Sequence, residues 1–117
     1  LALQNALTAI ESMGLGGAVV SRNVLEGKGK VRWCVREESV NEVDNGWRIL
    51  SDIDTNRFLS KPGNMVVCDW GTVVEIEPAV MAIFDLPVGS DVALVEEGGK
   101  KYFVDSNTGK KIDLNYI

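Results

Sequence analysis

The side chains of this sequence that could carry out acid–base chemistry are carboxylates, because the chain contains no histidine. Two pairs are spaced two residues apart, Asp52 with Asp54 and Glu75 with Glu77, which places both members on one face of a strand. A close carboxylate pair can divide the roles of general acid and general base. Solvated surface acids at this spacing are far more common, so the sequence predicts no catalytic site.

The sequence also contains no complete set of ligands for a metal ion. Residues 52–56 supply oxygen ligands at the spacing of a calcium loop, but Arg57 stands where the sharp turn needs glycine and Gly63 where a bidentate glutamate is needed. Cys34 and Cys68 cannot form a structural zinc site alone, because such sites need four cysteine or histidine ligands. We expect both thiols to be reduced and packed, and we predict no metal ion and no cofactor.

The composition favours neither a phosphate-bearing partner nor a membrane. The formal net charge is −5, whereas nucleic acids are bound through clustered lysine and arginine side chains. The glycine-rich residues 14–17 and 27–30 lack the spacing and context of nucleotide-binding loops. No apolar run approaches the roughly 20 residues that span a bilayer, and no signal-peptide order is present. We expect a cytoplasmic protein without nucleic-acid or membrane partners.

The acidic side chains are concentrated in one stretch, residues 37–54. Six of the 17 acids lie there with a single base, Arg48, so the rest of the chain has 11 acids and 11 bases and is neutral. A surface that concentrates one sign of charge attracts partners of the opposite sign. The stretch is therefore the best candidate for a binding surface, with an ordinary solvated face as the alternative.

The elements that must position this stretch predict one α+β domain over residues 1–117. We expect a mainly antiparallel sheet, with an N-terminal helix and one or two short helices packed on it. Apolar residues at helical spacing predict the helix over residues 2–13. Short apolar runs predict strands over 18–21 and 31–36, joined as a hairpin through the turn at 27–30.

The acidic residues 37–46 predict a surface loop that ends in the Asn45-Gly46 turn signal, followed by a strand over 47–51. One helical turn within residues 52–60 and a strand over 65–69 are expected next. Pro78 fits the first turn of a helix that runs to about Phe84.

The end of the chain carries the clearest local signal. Residues 92–96 and 101–104 flank Gly98-Gly99, which predicts a two-residue hairpin turn with Glu97 opposite Lys100. Both faces of this hairpin are apolar, so we expect both to be covered at least in part and the hairpin to be central to the fold. A short final strand is expected over residues 111–114.

Three tryptophans are candidates for the core or for an interface. Alternation in the strand 31–36 places Trp33 on one face with Val31 and Val35, and we expect Trp33 and Trp70 to be buried. Trp47 lies within the acidic stretch, so it could be either a core residue or an apolar anchor for a partner.

The order of short motifs over residues 17–104 resembles the thirty-third immunity-protein family of bacterial polymorphic toxin systems. The motifs are Arg36-Glu37-Glu38, Asn41-Glu42, Asp44-Asn45-Gly46-Trp47-Arg48, Ser51-Asp52, Pro62-Gly63-Asn64, Glu77-Pro78 and Leu86-Pro87-Val88-Gly89-Ser90. The resemblance implies a cytosolic, non-catalytic protein that binds and blocks a cognate toxin, and the acidic stretch suits a toxin with a basic surface.

The expected partner-binding residues are Glu37, Glu38, Glu42, Asp44, Trp47 and Arg48. Trp47 and Arg48 could instead hold the fold together, in which case only the loop before them would touch the partner. The alternative function is a general interaction or regulatory domain, which could self-associate and would have no toxin partner. The oligomeric state stays open.

Overall fold

The computed structural model describes residues 14–114. The chain forms, in order, β1 Gly17–Ser21, α1 Arg22–Leu25, β2 Val31–Arg36, β3 Asp44–Ser51, α2 Asn56–Leu59, β4 Met65–Asp69, α3 Trp70–Ile76, a 3-10 helix Pro78–Ile83, β5 Asp91–Glu97 and β6 Lys100–Asp105. None of the described helices is both long enough and apolar enough to cross a membrane. The predicted helix over residues 2–13 lies outside the described residues.

The six strands form one mixed sheet in the order β4-β1-β3-β2-β5-β6. β1 and β3 are parallel, and every other neighbouring pair is antiparallel. The predicted α+β class with a mainly antiparallel sheet is confirmed. The predicted hairpin of β1 with β2 is wrong, because β3 lies between them. The helix α1 separates the two strands along the chain and leaves β1 free to pair with β3 and β4.

The hydrophobic core lies on one face of the sheet, under α3 and the 3-10 helix. Its buried members include Val20, Cys34, Trp47 and Ile49 from the strands, and Trp70, Val73, Val80 and Ile83 from the helices. The Trp47 and Trp70 rings are 6.1 Å apart, and the Trp70 and Phe84 rings 5.3 Å apart. The expected burial of Trp70 is therefore confirmed, and Trp47 is a core residue.

The expected burial of Trp33 is wrong, because β2 contains an irregularity. The pairing with β3 shifts between Val31, which faces Ser51, and Trp33, which faces Leu50. A bulge of this kind breaks the alternation of side chains across the sheet. Val31 and Cys34 are buried on the core side, whereas the Trp33 ring is exposed on the other face and lies 5.2 Å from the Arg32 guanidinium.

The β5–β6 hairpin has the predicted register, with Glu97 opposite Lys100 and Leu94 opposite Phe103. The hairpin that we expect to be central to the fold lies at one end of the sheet, because β6 is the last strand. The predicted final strand is reduced to one bridge between Val104 and Lys111. The helix expected after Pro78 is a 3-10 helix, and α3 before it was not predicted.

Gly46 does not form the turn expected at Asn45-Gly46, because β3 already begins at Asp44. Gly46 lies inside the strand with a φ of 87°, a conformation that side chains disfavour. A Cβ atom at this position would also contact the carbonyl oxygen of Glu37. Glycine therefore allows the start of β3 to approach the end of β2 closely.

We predict that Gly46→Ala destabilises the fold by about 3 kcal/mol or more, because it combines backbone strain with a steric clash. Gly63 is the matched control, since its φ is 86° and a Cβ atom there would meet nothing within 4 Å. Gly63→Ala should cost about 1 kcal/mol, from the backbone conformation alone. Equal losses in chemical denaturation would show that the close approach at Gly46 is unimportant.

Candidate functional site

The candidate site is the segment between β2 and β3, residues 37–43, which we call the acidic loop. Backbone hydrogen bonds hold both of its ends. The N–H of Glu37 donates to the carbonyl of Gly46 at 2.8 Å, and the N–H of Gly17 donates to the carbonyl of Val43 at 2.7 Å. The first bond extends the β2–β3 ladder, and the second ties the loop to the start of β1.

The Asp44 carboxylate organises the interior of the acidic loop. It accepts hydrogen bonds from the N–H groups of Val40 and Gly46, each at 2.9 Å. It also accepts hydrogen bonds from the two terminal nitrogens of Arg48, at 2.8 and 2.9 Å. Only 7% of the Asp44 side chain is exposed. The carboxylate therefore has four donors and almost no contact with solvent.

These contacts shift the protonation equilibria of the pair. The hydrogen bonds from Arg48 are the largest cause that lowers the pKa of Asp44 far below its usual range, and the N–H groups of Val40 and Gly46 add to it. Burial opposes the shift, because it disfavours the charged form. The hydrogen bonds that Arg48 donates to Asp44 correspondingly raise the pKa of Arg48. Both groups stay charged and largely neutralise each other.

Glu37 connects this internal pair with the surface. Its carboxylate oxygen Oε1 accepts a hydrogen bond from Nε of Arg48 at 3.0 Å, while most of the Glu37 side chain stays exposed. Within the loop, the side-chain oxygen of Asn41 accepts the N–H groups of Val43 and Asp44, both at 3.0 Å. Short-range bonds of this type fix a turn that has no regular secondary structure.

The outward surface of the acidic loop combines free acids with apolar side chains. Glu38 and Glu42 are exposed, and neither forms an ion pair with any residue in the described range 14–114. Val40 is 78% exposed and Val43 is 67% exposed. These valines were not predicted as site residues, although two isolated apolar residues inside an acidic loop are a signal in themselves.

Trp47 is a core residue and not an exposed apolar side chain of the acidic stretch, because its side chain has no accessible surface. Its ring nitrogen donates to the carbonyl of Phe84 at 3.2 Å, which satisfies the polar atom of a buried indole. The Trp47 backbone N–H donates to the side-chain oxygen of Asn45. Trp47 therefore supports the start of β3 from within the core.

Arg36, the last residue of β2, joins the start of β3 to the segment after the 3-10 helix. Its guanidinium donates to the carbonyls of Asn45, Phe84 and Leu86 at 3.1, 3.0 and 2.7 Å, and it lies 5.8 Å from the ring centres of Trp47 and Phe84. The contacts of Arg36 thus bring residues 84–86 against the start of β3, although these segments are far apart in the sequence. These contacts support the end of β2 and the start of β3, which are the two strands that flank the acidic loop.

The paired acids considered for catalysis have structural contacts in this fold. Asp54 accepts hydrogen bonds from the hydroxyl of Ser21 and the amide of Asn23, both at 2.8 Å, and from the N–H of Ser51 at 2.6 Å. Glu77 pairs with Lys101 at 2.7 Å. Within residues 14–114, no group of three histidine, cysteine, aspartate or glutamate side chains could hold a metal ion.

Comparison with known proteins gives one match. A family model described as "Immunity protein Imm33 domain" matches residues 18–105. No curated protein matches the chain, and no solved structure does. The matched region contains the whole acidic loop, β3 and the segment that Arg36 contacts.

We predict that Asp44→Asn destabilises the protein by about 2 kcal/mol at pH 7, because it removes charge-assisted hydrogen bonds to Arg48 at a site with little solvent. Because folding lowers the pKa of Asp44, its contribution is complete above the unfolded pKa of about 3.9. It is lost progressively as the pH falls from this unfolded value towards the lower, folded value. When the pH is lowered from 7 to 2, the free energy of unfolding should therefore decrease less for the variant than for the wild type.

Glu26→Gln provides the matched control. Glu26 also pairs with basic side chains, Arg22 and Lys28, but that cluster lies at the solvent-exposed surface, where ion pairs contribute little. We expect Glu26→Gln to leave the unfolding curve nearly unchanged at pH 7. If Asp44→Asn behaves in the same way, the Asp44 carboxylate does not organise the loop.

Proposed function

The chain belongs to the Imm33 immunity protein family, and we propose that it binds a cognate protein toxin and neutralises it without catalysing a reaction. The observation that carries the proposal is the exposed surface of the acidic loop, which presents Glu37, Glu38 and Glu42 around Val40 and Val43. This mixture of apolar and charged groups is suited to protein recognition. The proposed meeting place is the cytoplasm, because an immunity protein protects the cell that makes it.

Charge supports a toxin with a basic contact surface. The chain has a net charge of −5, and the internal pairing of Asp44 with Arg48 leaves Glu38 and Glu42 available for an outside partner. Complementary charges speed the encounter of two proteins and suppress incorrect partners. The two valines would form the apolar centre of the interface, from which water is excluded on binding, and the acids around them would form a polar rim.

The internal hydrogen bonds of the acidic loop support tight binding in a second way. Binding is weakened when a loop must first become ordered, because ordering costs conformational entropy. Here the Asp44 carboxylate and the Asn41 side chain hold the loop in one conformation before any partner arrives. The proposal therefore assigns a supporting role to Asp44, Trp47 and Arg48, and a contact role to Glu37, Glu38 and Glu42.

We predict that co-expression of this protein rescues cells from the toxin encoded beside its gene, and that Glu38→Lys combined with Glu42→Lys weakens binding roughly tenfold or more at low salt. The difference from wild type should shrink as salt is added, because exposed charges are screened within about 10 Å at 0.1 M ionic strength. Calorimetric titrations at several salt concentrations would measure both effects.

Glu75→Lys combined with Glu97→Lys is the control, because it makes the same change in net charge at two exposed acids outside the loop. The control should bind within about threefold of wild type, since only local complementarity is lost in the test variant. An equal loss in both double variants would mean that net charge alone attracts the toxin. Unchanged binding in the loop variant at all salt concentrations would remove the loop from the interface.

A further inference from the structure

The two outer strands of the sheet, β4 and β6, differ in how their free edges are treated. A free edge exposes backbone N–H and C=O groups that can pair with another chain, and proteins usually cover or charge such edges. The edge of β6 is covered, because the Asp105 N–H donates to the carbonyl of Lys110 and the Ile112 N–H donates to the carbonyl of Phe103. β6 also begins with Lys100 and Lys101.

The edge of β4 is not covered by any described residue through a backbone hydrogen bond, and its one charged side chain, Asp69, lies at the end of the strand. Within residues 14–114, β4 pairs with β1 alone, and the register runs without a bulge from Met65 opposite Ser21 to Asp69 opposite Gly17. The strand contains no lysine and no proline, and no backbone hydrogen bond from residues 14–114 reaches its outer side. Val67, at its centre, is 71% exposed.

The hydrogen-bond pattern shows which groups of β4 point outward. The Arg22 N–H donates to the Asn64 carbonyl, and the Trp70 N–H donates to the Gly16 carbonyl. In an antiparallel ladder the bonded and non-bonded pairs alternate, so Val66 and Cys68 face β1. The N–H and C=O groups of Val67 therefore point to the open side of the sheet.

A shallow groove connects this edge with the acidic loop. Glu42 and Val43 of the loop line it together with Val67 and Asp69 of β4, and the glycines at positions 14, 16, 17 and 71 are also among its lining residues. The charged side chains among the described lining residues are both acidic, and both are exposed. The edge of β4 and the loop thus form one continuous surface of negative charge and apolar valines.

We propose that the free edge of β4 receives an extended segment of the toxin, which pairs with the backbone of Val67 and places a lysine or arginine side chain in the groove between Glu42 and Asp69. This inference rests on the proposed function and names a second part of the same interface. Strand addition supplies affinity through main-chain hydrogen bonds, and the neighbouring side chains supply specificity. A basic segment is favoured because both carboxylates would otherwise lie unpaired beside it.

The test compares Val67→Pro with Val67→Thr in the full chain. Proline removes the outward N–H and leaves the hydrogen bonds of Val66 and Cys68 with β1 in place, as it does at natural sheet edges. Threonine keeps both the N–H and the branched shape. We expect Val67→Pro to weaken toxin binding at least tenfold and Val67→Thr to weaken it less than threefold, with similar thermal midpoints for the two variants.

Hydrogen exchange at the Val67 amide of the wild-type protein gives a reading that does not depend on a variant. We expect fast exchange in the free protein and slow exchange after the toxin is added. Slow exchange in the free protein would overturn the inference. If the slowing rose with protein concentration, a second copy would occupy the edge; if it did not, this chain itself would cover it.

The outcomes separate this inference from the proposed function. If reversal of Glu38 and Glu42 weakens binding while Val67→Pro binds like wild type, the strand-pairing inference is overturned and the proposed function stands. If the wild-type protein neither binds the toxin nor rescues cells from it, both are overturned. A loss confined to Val67→Pro, with slowed exchange at Val67 in the complex, supports the inference.

Discussion

A single carboxylate, that of Asp44, accepts hydrogen bonds from two backbone N–H groups and from both terminal nitrogens of Arg48. These bonds fix the turn after β2, the start of β3 and the position of Arg48 at the same time. A charge with so little solvent contact is tolerated only when it is paired and fully hydrogen-bonded. The shape of the exposed acidic loop depends on this arrangement.

The acidic stretch consequently divides into two parts with different tasks. Asp44 and Arg48 neutralise each other inside the protein, and Trp47 and Arg36 support them from the core. Glu38 and Glu42 are not needed for this support and remain on the surface beside the exposed valines. The residues that define the local structure are therefore mostly distinct from those that would contact a toxin, which lets the outer positions change without loss of the fold.

Local sequence signals predicted the structure correctly where residues close together in the sequence determine it. The Gly98-Gly99 turn fixed the register of the β5–β6 hairpin, because a two-residue turn determines which residues face each other. The pairing of β1 with β3 could not be predicted in this way, since it joins distant strands in parallel. The bulge in β2 reversed the expected exposure of Trp33. At the site, charge composition identified the acidic loop, but only the fold could show that Trp47 is buried and that Val40 and Val43 are exposed.

The most direct measurement of the central claim is residue-resolved hydrogen exchange of the acidic loop in the free and toxin-bound protein. If the Asp44 carboxylate holds the loop ready for its partner, the amides of Val40 and Gly46 exchange slowly before any toxin is present. Addition of the toxin then slows exchange at Glu38 and Glu42 as well. Rates equal to those of an unstructured peptide at Val40 and Gly46 in the free protein would contradict the account.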